Sequence, residues 1–322
     1  MNISDFNYNL PKELIAQTPL LQRDSSRLMV ISQTILQHKK FTDIVDYFSA
    51  GDVLVLNDSM VFPAKLVGKK ESGGRVEVLL VKQIDKLKWE CLVQGKKVEK
   101  ILFGSITGAV QNNIITFSED IRPHLNLLGK TPLPPYIKND AAFERYNTVY
   151  AKNEGSVAAP TAGLHFTPEL LKKLEDKGVV LAKVTLHVGL GTFLPVKEET
   201  IENHRMHSEF FLISQDTAEK INNRRGRLFV VGTTTIRALE SSAQEGKICE
   251  CSKETSIFIH PGYNWKLNYA GLITNFHLPK STLLMLVSAF LSRERILEAY
   301  QEAIKQKYRF YSFGDALLLS RL

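Results

Sequence analysis

The sequence predicts an α/β protein interrupted by a small all-β barrel, and three observations carry that prediction. Runs rich in β-branched residues alternate with helical periodicity up to about residue 61 and again from residue 153 onward. Between them, residues 64–117 hold only short apolar runs, separated by turn signals at 72–74, 95–96, 104 and 112–113. A stiff Pro132-Leu133-Pro134-Pro135 link then precedes the return of the α/β texture. The interval 62–152 therefore reads as a domain inserted into a discontinuous one made of 1–61 and 153–322. A chain of 322 residues is long enough for each part to bury its own core.

In chain order, Leu10-Pro11-Lys12-Glu13 opens a short helix, and the polar residues 23–27 lead into a strand over 28–31. Thr42 is the expected cap of a helix with Ile44, Val45 and Phe48 on one face, ended by Gly51 and followed by a buried-type strand at 53–56. Within the insert, 76–81, 89–93, 106–110 and 114–117 are the expected strands, closed by a helix near 121–128. Thr167-Pro168-Glu169 reads as N-cap, first helical residue and first-turn acid of a helix that Gly178 stops. The strand expected at 179–188 places Lys183, Thr185 and His187 on one face and Val184, Leu186 and Val188 on the other. Further strands are expected at 210–213 and 228–231, the latter leading through Gly232 into a helix with Arg237 and Glu240. That unit recurs in kind at 272–274, Asn275-Phe276-His277-Leu278-Pro279 and an apolar helix from Ser281 to Phe290, before an amphipathic helix over 293–307.

Composition narrows the class. With 44% hydrophobic and 23% charged residues the chain reads as globular, and MNISDFNYNLPKELIAQTPL lacks the basic start and apolar core of a signal peptide. The apolar run 283–291 is far shorter than the ~20 residues that span a bilayer, so a cytoplasmic enzyme without membrane contact is expected. Cys91, Cys249 and Cys251 are odd in number and form no C-x-x-C, which argues against a disulfide framework or a thiolate zinc site. Of the net charge of +7, residues 65–100 supply +5, from ten Lys or Arg against five acids. Lys69, Lys70, Arg75, Lys96 and Lys97 are the candidate contacts to an RNA backbone, weighed against a merely solvated basic face.

The stretch 156–196 carries the candidate site. Ala158 to Gly163 has almost no side-chain bulk, so Thr161, Ala162 and Gly163 can lie against a ligand. Gly189, Gly191 and Thr192 cap the carboxyl end of the preceding strand, where open α/β sheets hold ligands. They form no dinucleotide fingerprint, because Leu194 replaces the third glycine and Pro195 follows. His165 and His187 flank this crevice, and imidazole has a populated free base at neutral pH; His187 is the first candidate for proton transfer and His165 the second. His204 and His207 are three apart in extended chain and face opposite sides, so no metal is expected, while His207 and Glu209 share a face. Thr233 and Thr234 at a helix start, with Arg237, suit a carboxylate. Asn275, His277 and Ser281 belong to the second such unit, and Tyr311 and Asp315 offer a stacking face and a partner for ribose hydroxyls or an exocyclic amine.

The blocks VAAPTAGLHF, TLHVGLGTFLPV, MHSE, VGTTTIRALE, TNFHLPKSTLLMLVSAF and YRFYSFGDA resemble, in order and over nearly the whole chain, the signature blocks of the S-adenosylmethionine:tRNA ribosyltransferase-isomerase family. The resemblance implies a catalytic α/β barrel-like domain with a β-barrel inserted at about 62–152, working as a monomer. It also implies S-adenosylmethionine as a consumed co-substrate, with no cofactor. The ribosyl group would pass to 7-aminomethyl-7-deazaguanine at the wobble position of tRNA, giving epoxyqueuosine-tRNA with release of adenine and methionine. Met60 stands where the family usually has arginine, Lys65 replaces another, and Leu317 follows GDA where methionine is typical. An RNA methyltransferase is the enzyme alternative, disfavoured by the lack of a glycine-rich strand-to-helix loop of the expected form; a non-catalytic RNA-binding module leaves the histidine-flanked crevice unexplained.

Overall fold

In a computed structural model, residues 1–95, 98–134, 136–137, 145–189 and 198–321 are described. The α/β part is built on a nine-stranded mixed sheet. Its order runs from the edge strand Cys251–Thr255 through Glu209–Ile213, Val180–Leu186, Val53–Asn57, Leu228–Val231, Gly271–Asn275, Ala316–Ser320 and Arg27–Ile31 to Leu36–Lys40 at the other edge. Val53–Asn57 is central and parallel to both neighbours, Val180–Leu186 and Leu228–Val231, and all five of its residues are buried. A strand covered on both faces needs apolar side chains on both, which is why VLVL shows no alternation.

The two faces are visible in the packing. Val53, Val55, Val184 and Val230 meet the helices Gln215–Asn222, Thr233–Ser242, Thr282–Phe290 and Arg293–Lys305. Leu54, Leu56, Phe229 and Val231 meet the helix Pro168–Asp176 and the 3-10 segment Phe41–Tyr47. Leu317 is fully buried in this sheet and does not line the crevice, so its departure from the family pattern is a nearly volume-conserving swap within the core.

The inserted barrel closes. Lys65–Lys70, Arg75–Gln83, Lys88–Gln94, Ile114–Phe117, Ile106–Gln111 and Lys100–Phe103 pair antiparallel in that order, and the last returns to the first. Closure removes the free edges of a small sheet, and alternate residues such as Val76, Val78, Leu80, Ile101 and Phe103 fill the interior. The chain leaves the large sheet through Ser59–Val61 and returns through Asn153–Ser156, and these two strands pair in parallel as a stem. At its base the Asp58 carboxylate accepts from Thr185 Oγ1 (2.6 Å) and Asn153 Nδ2 (3.1 Å), and Lys82 in the barrel reaches Glu254 on the edge strand at 2.7 Å. The α/β class and the inserted barrel match the expectation.

Thr167 Oγ1 accepts the Leu170 N–H at 3.1 Å, Pro168 follows as the first helical residue, and Gly178 takes φ +87° just past the end. The expected cap at Thr42 is corrected: the segment is 3-10, begins at Phe41, and the Asp43 carboxylate takes the Lys40 N–H at 3.0 Å. Leu36–Lys40 was not expected as a strand because LQHKK is polar and largely exposed, as an edge strand allows.

Candidate active site

A crevice of about 550 Å³, counting space open to solvent, lies at the carboxyl ends of the parallel strands Leu228–Val231 and Gly271–Asn275. One wall is the small-residue run Ala158 to Ala162, the floor is Gly232, Thr233 and Thr234, and Thr274, Asn275, His277, Leu283, Tyr311 and Ser312 complete it. Of the residues expected from the sequence, Thr161, Ala162, Thr233, Thr234, Asn275, His277 and Tyr311 are thus brought together. Val188, Thr274, Leu283 and Ser312 were missed; Val188 was legible from strand alternation, since it takes the face opposite His187.

A hydrogen-bonded chain runs from the crevice into the interior. Thr161 Oγ1 donates to Asn275 Oδ1 (3.0 Å), Asn275 Nδ2 lies 3.0 Å from His165 Nε2, and His165 Nδ1 lies 2.8 Å from Ser26 Oγ. Burial, reinforced by the charges of Arg309 and Arg23, pushes His165 down to about 3, so the ring is neutral at pH 7. A neutral ring accepting the amide N–H at Nε2 must carry its proton on Nδ1, which then donates to Ser26. His165 therefore stands behind the wall and orients Asn275. It does not line the crevice it was expected to flank.

His277 is the histidine that lines the crevice among the described residues. Its backbone N–H donates to Tyr300 Oη at 3.0 Å, and its Nε2 sits 3.3 Å from Thr274 Oγ1. Burial pushes it down to about 3 as well.

The helix Thr233–Ser242 starts at Gly232, whose φ of +89° turns the chain sharply, and no side chain caps its first turn. Its free N–H groups and positive dipole end thus remain available beside Thr233 and Thr234. One turn further, Arg237 pairs with Glu209 and gives Nε to the Ile257 carbonyl at 3.2 Å, while its Nη2 is buried without a hydrogen-bond partner among the described residues. The recess it lines shares Thr233, Thr234 and Leu283 with the crevice. Glu209 Oε1 also accepts the Gly189 N–H at 2.9 Å, so this ion pair anchors the end of the histidine strand.

Several expected site residues lie elsewhere. The His187 ring is turned to the stem, with Nδ1 2.8 Å from Ser59 Oγ, its plane stacked on Phe210 at 5.7 Å, and its edge against Gly155. Gly155 takes φ +150°, and a Cβ there would sit 2.5 Å from His187 Nε2. Strand alternation explains the correction: Val188 and not His187 turns to the crevice. Asp315 is buried, accepting from the Arg27 N–H (3.0 Å) and the Arg309 N–H (2.8 Å); it clasps the loop that presents Tyr311 and Ser312 and is not among the residues lining the crevice. That loop holds Tyr311 at φ +74°, an uncommon conformation for a bulky residue.

Ser281 Oγ caps its helix at the Leu284 N–H, 3.2 Å, and Gly163 backs the wall, where a Cβ would fall 2.0 Å from the Tyr150 hydroxyl. His207 is exposed and does not meet Glu209; His204 pairs with Glu198 at 3.1 Å. Among the described residues no cluster of three His, Cys, Asp or Glu has the spacing of a metal site, and no helix is long and apolar enough to cross a membrane. Gly191, Thr192, Lys96 and Lys97 lie outside the described residues. On the barrel, Lys69 is exposed, but Arg75 and Lys65 share Glu77 (2.9 and 2.7 Å) and Lys100 pairs with Glu71 at 2.8 Å.

Comparison with known proteins points the same way. A family model described as queuosine biosynthesis protein matches residues 3–319. A relative named S-adenosylmethionine:tRNA ribosyltransferase-isomerase from Thermotoga petrophila is 49% identical over 335 residues, covering 99% of this chain and 100% of its own. One of the same name from Desulforamulus reducens is 51% identical over 341 residues, with the same coverages of 99% and 100%. The crystal structure of an S-adenosylmethionine tRNA ribosyltransferase from Thermotoga maritima superposes with a TM-score of 0.59 at 37% identity, covering 98% of this chain and 100% of that one.

Proposed function

Since the chain belongs to the queuosine biosynthesis protein family, we propose that it is a tRNA-modifying enzyme that moves and isomerises the ribosyl group of S-adenosylmethionine. The acceptor in this reading is 7-aminomethyl-7-deazaguanine at the tRNA wobble position, and the products are epoxyqueuosine-tRNA, adenine and methionine. The observation that carries the reading is the crevice, where one chain supplies donors for a carboxylate, a wall of small residues and a neutral histidine. The methionyl carboxylate sits at the uncapped start of Thr233–Ser242, within reach of the unpartnered Arg237 Nη2. The sugar lies along Ala158 to Ala162, and Tyr311 offers a ring face to the adenine.

The sulfonium acidifies the adjacent 5′ carbon and a base takes that proton; adenine leaves with acid assistance as the glycosidic bond breaks; the aminomethyl nitrogen attacks the sugar and gives up a proton; and methionine departs with the carbon–sulfur bond pair as a sugar oxygen closes the epoxide. His277 takes the proton-transfer role earlier expected of His187, because it lines the crevice and is neutral at pH 7. With a conjugate acid near pKa 3 it is a weak base, but it hands a proton on readily to the departing adenine. His277→Gln should slow adenine release at saturating donor by roughly 10²–10⁴, the range for general acid–base groups. His187→Ala should cost less than about tenfold on the same scale. The reverse order would return the role to His187. S-adenosylmethionine is consumed and no resident cofactor is required, so turnover should survive exhaustive chelation; activity lost on chelation and restored by one metal would contradict that.

A further inference from the structure

On the far side of the turn Thr161–His165 from the crevice lies a second recess, lined by Arg23, Arg145, Ser26, His165 and Ser312 among others; Ser312 is common to both. Arg23 near the N-terminus and Arg145 where the insert returns line it, and Arg309 in the C-terminal loop is near enough to act on His165 in its wall. Among the described residues each guanidinium is tethered to backbone carbonyls. Arg23 Nη1 donates to Leu164 (3.3 Å), Arg145 to Leu21 (2.7 Å) and Leu20 (3.2 Å), and Arg309 to Thr18. Among the described residues no carboxylate lies within ion-pair distance of any of the three. Arg145 Nε and Arg309 Nη1 are buried with no hydrogen-bond partner among the described residues.

Partly buried guanidiniums that have no ion-pair partner among the described residues are costly, and orphaned N–H groups add to that cost. The repulsion is felt locally: burial and the neighbouring Arg145 lower Arg23, and Arg309 and Arg23 help keep His165 neutral. Asp315, which acts on Arg309, is already occupied by Arg27 and the Arg309 backbone N–H. The barrel offers a contrast, since Lys65, Arg75, Lys82 and Lys100 there are paired with acids.

We propose that this recess is an oxyanion subsite that takes a phosphodiester of the tRNA, next to the nucleotide whose base enters the crevice. It rests on the reading of tRNA as acceptor. Guanidinium forks match phosphate oxygens in pairs, and a single anion there would satisfy the orphaned N–H groups and offset the repulsion. The donor's carboxylate has separate donors at the start of Thr233–Ser242, and an RNA reaching into the crevice must lay its backbone over the adjoining rim. Through His165 and Asn275 the phosphate contact is also wired to Thr161 on the crevice wall.

The test is tRNA binding by the full chain in the absence of donor, titrated over a range of salt, with donor binding measured separately by calorimetry. Arg23→Gln and Arg145→Gln should each weaken tRNA binding about tenfold or more and lower the slope of log K against log salt by about one. Arg145→Lys, which keeps charge but loses the fork, should give a smaller loss at an unchanged slope, and it serves if the glutamine variant does not fold. Donor affinity should stay within about twofold of the wild type. Unchanged tRNA affinity and slope would make the arginines mere clasps for the carbonyls and overturn the proposal. Lost donor affinity with normal tRNA binding would assign the recess to the donor carboxylate, and overturn it equally. Because no turnover enters these measurements, they are independent of whether the chemistry proposed above is correct.

Discussion

Two buried neutral histidines tie this protein's stability to pH. His165 and His277 are both pushed down to about 3 in the fold, whereas an unfolded imidazole titrates near ~6.5. Their folded-state pKa is depressed, so the unfolded chain binds protons first. Stability is intact above the unfolded value and falls as pH drops from about 6.5 towards 3, by up to a few kcal/mol per histidine. Denaturant titrations at pH 7.5 and pH 5 should show this loss, and it should shrink in His165→Gln; equal stability at both values would mean the rings are protonated or solvated in the fold. His187 shows how far a single residue is legible. Its face on the strand followed from alternation, but that this face meets the stem depends on Gly155, about thirty residues away, which accepts the ring only because it lacks a Cβ. Gly155→Ala should therefore lower the thermal midpoint by several degrees, since one residue both loses its φ of +150° and strikes the ring.

At the scale of elements, the site depends on turns more than on strands. Gly163 lets the Thr161–His165 turn close over Tyr150, and a Cβ at 2.0 Å from that hydroxyl cannot be accommodated without moving the turn. Gly163→Ala should raise the KM for S-adenosylmethionine while the far-ultraviolet circular dichroism stays unchanged; a wild-type KM would show that the wall is not part of the donor site. The helix at Pro168 was readable to its cap because Thr-Pro-Glu states the local physics in three adjacent residues. Removing that cap with Thr167→Ala should cost about 1 kcal/mol in unfolding free energy. The polar edge strand Leu36–Lys40 and the 3-10 segments were not readable. Their conformation is set by pairing and packing against distant residues, which periodicity within a short window does not record.

The whole molecule joins a nine-stranded sheet with a crevice at its strand ends to a six-stranded barrel held by a parallel stem and the Lys82–Glu254 pair. The crevice residues were largely legible because the chain concentrates small residues and helix starts there, whereas Asp315 was misread because its clasp on Arg27 and Arg309 closes only in three dimensions. On the function proposed above, S-adenosylmethionine is divided in this crevice into adenine, methionine and a ribosyl group that passes to the tRNA. A single-turnover reaction with donor labelled in the adenine, ribosyl and methionine portions and precursor tRNA tests it most directly. Adenine and free methionine should appear together, each matching the ribosyl label gained by tRNA, with no S-adenosylhomocysteine. Methyl label on the RNA with S-adenosylhomocysteine as the second product would contradict the account.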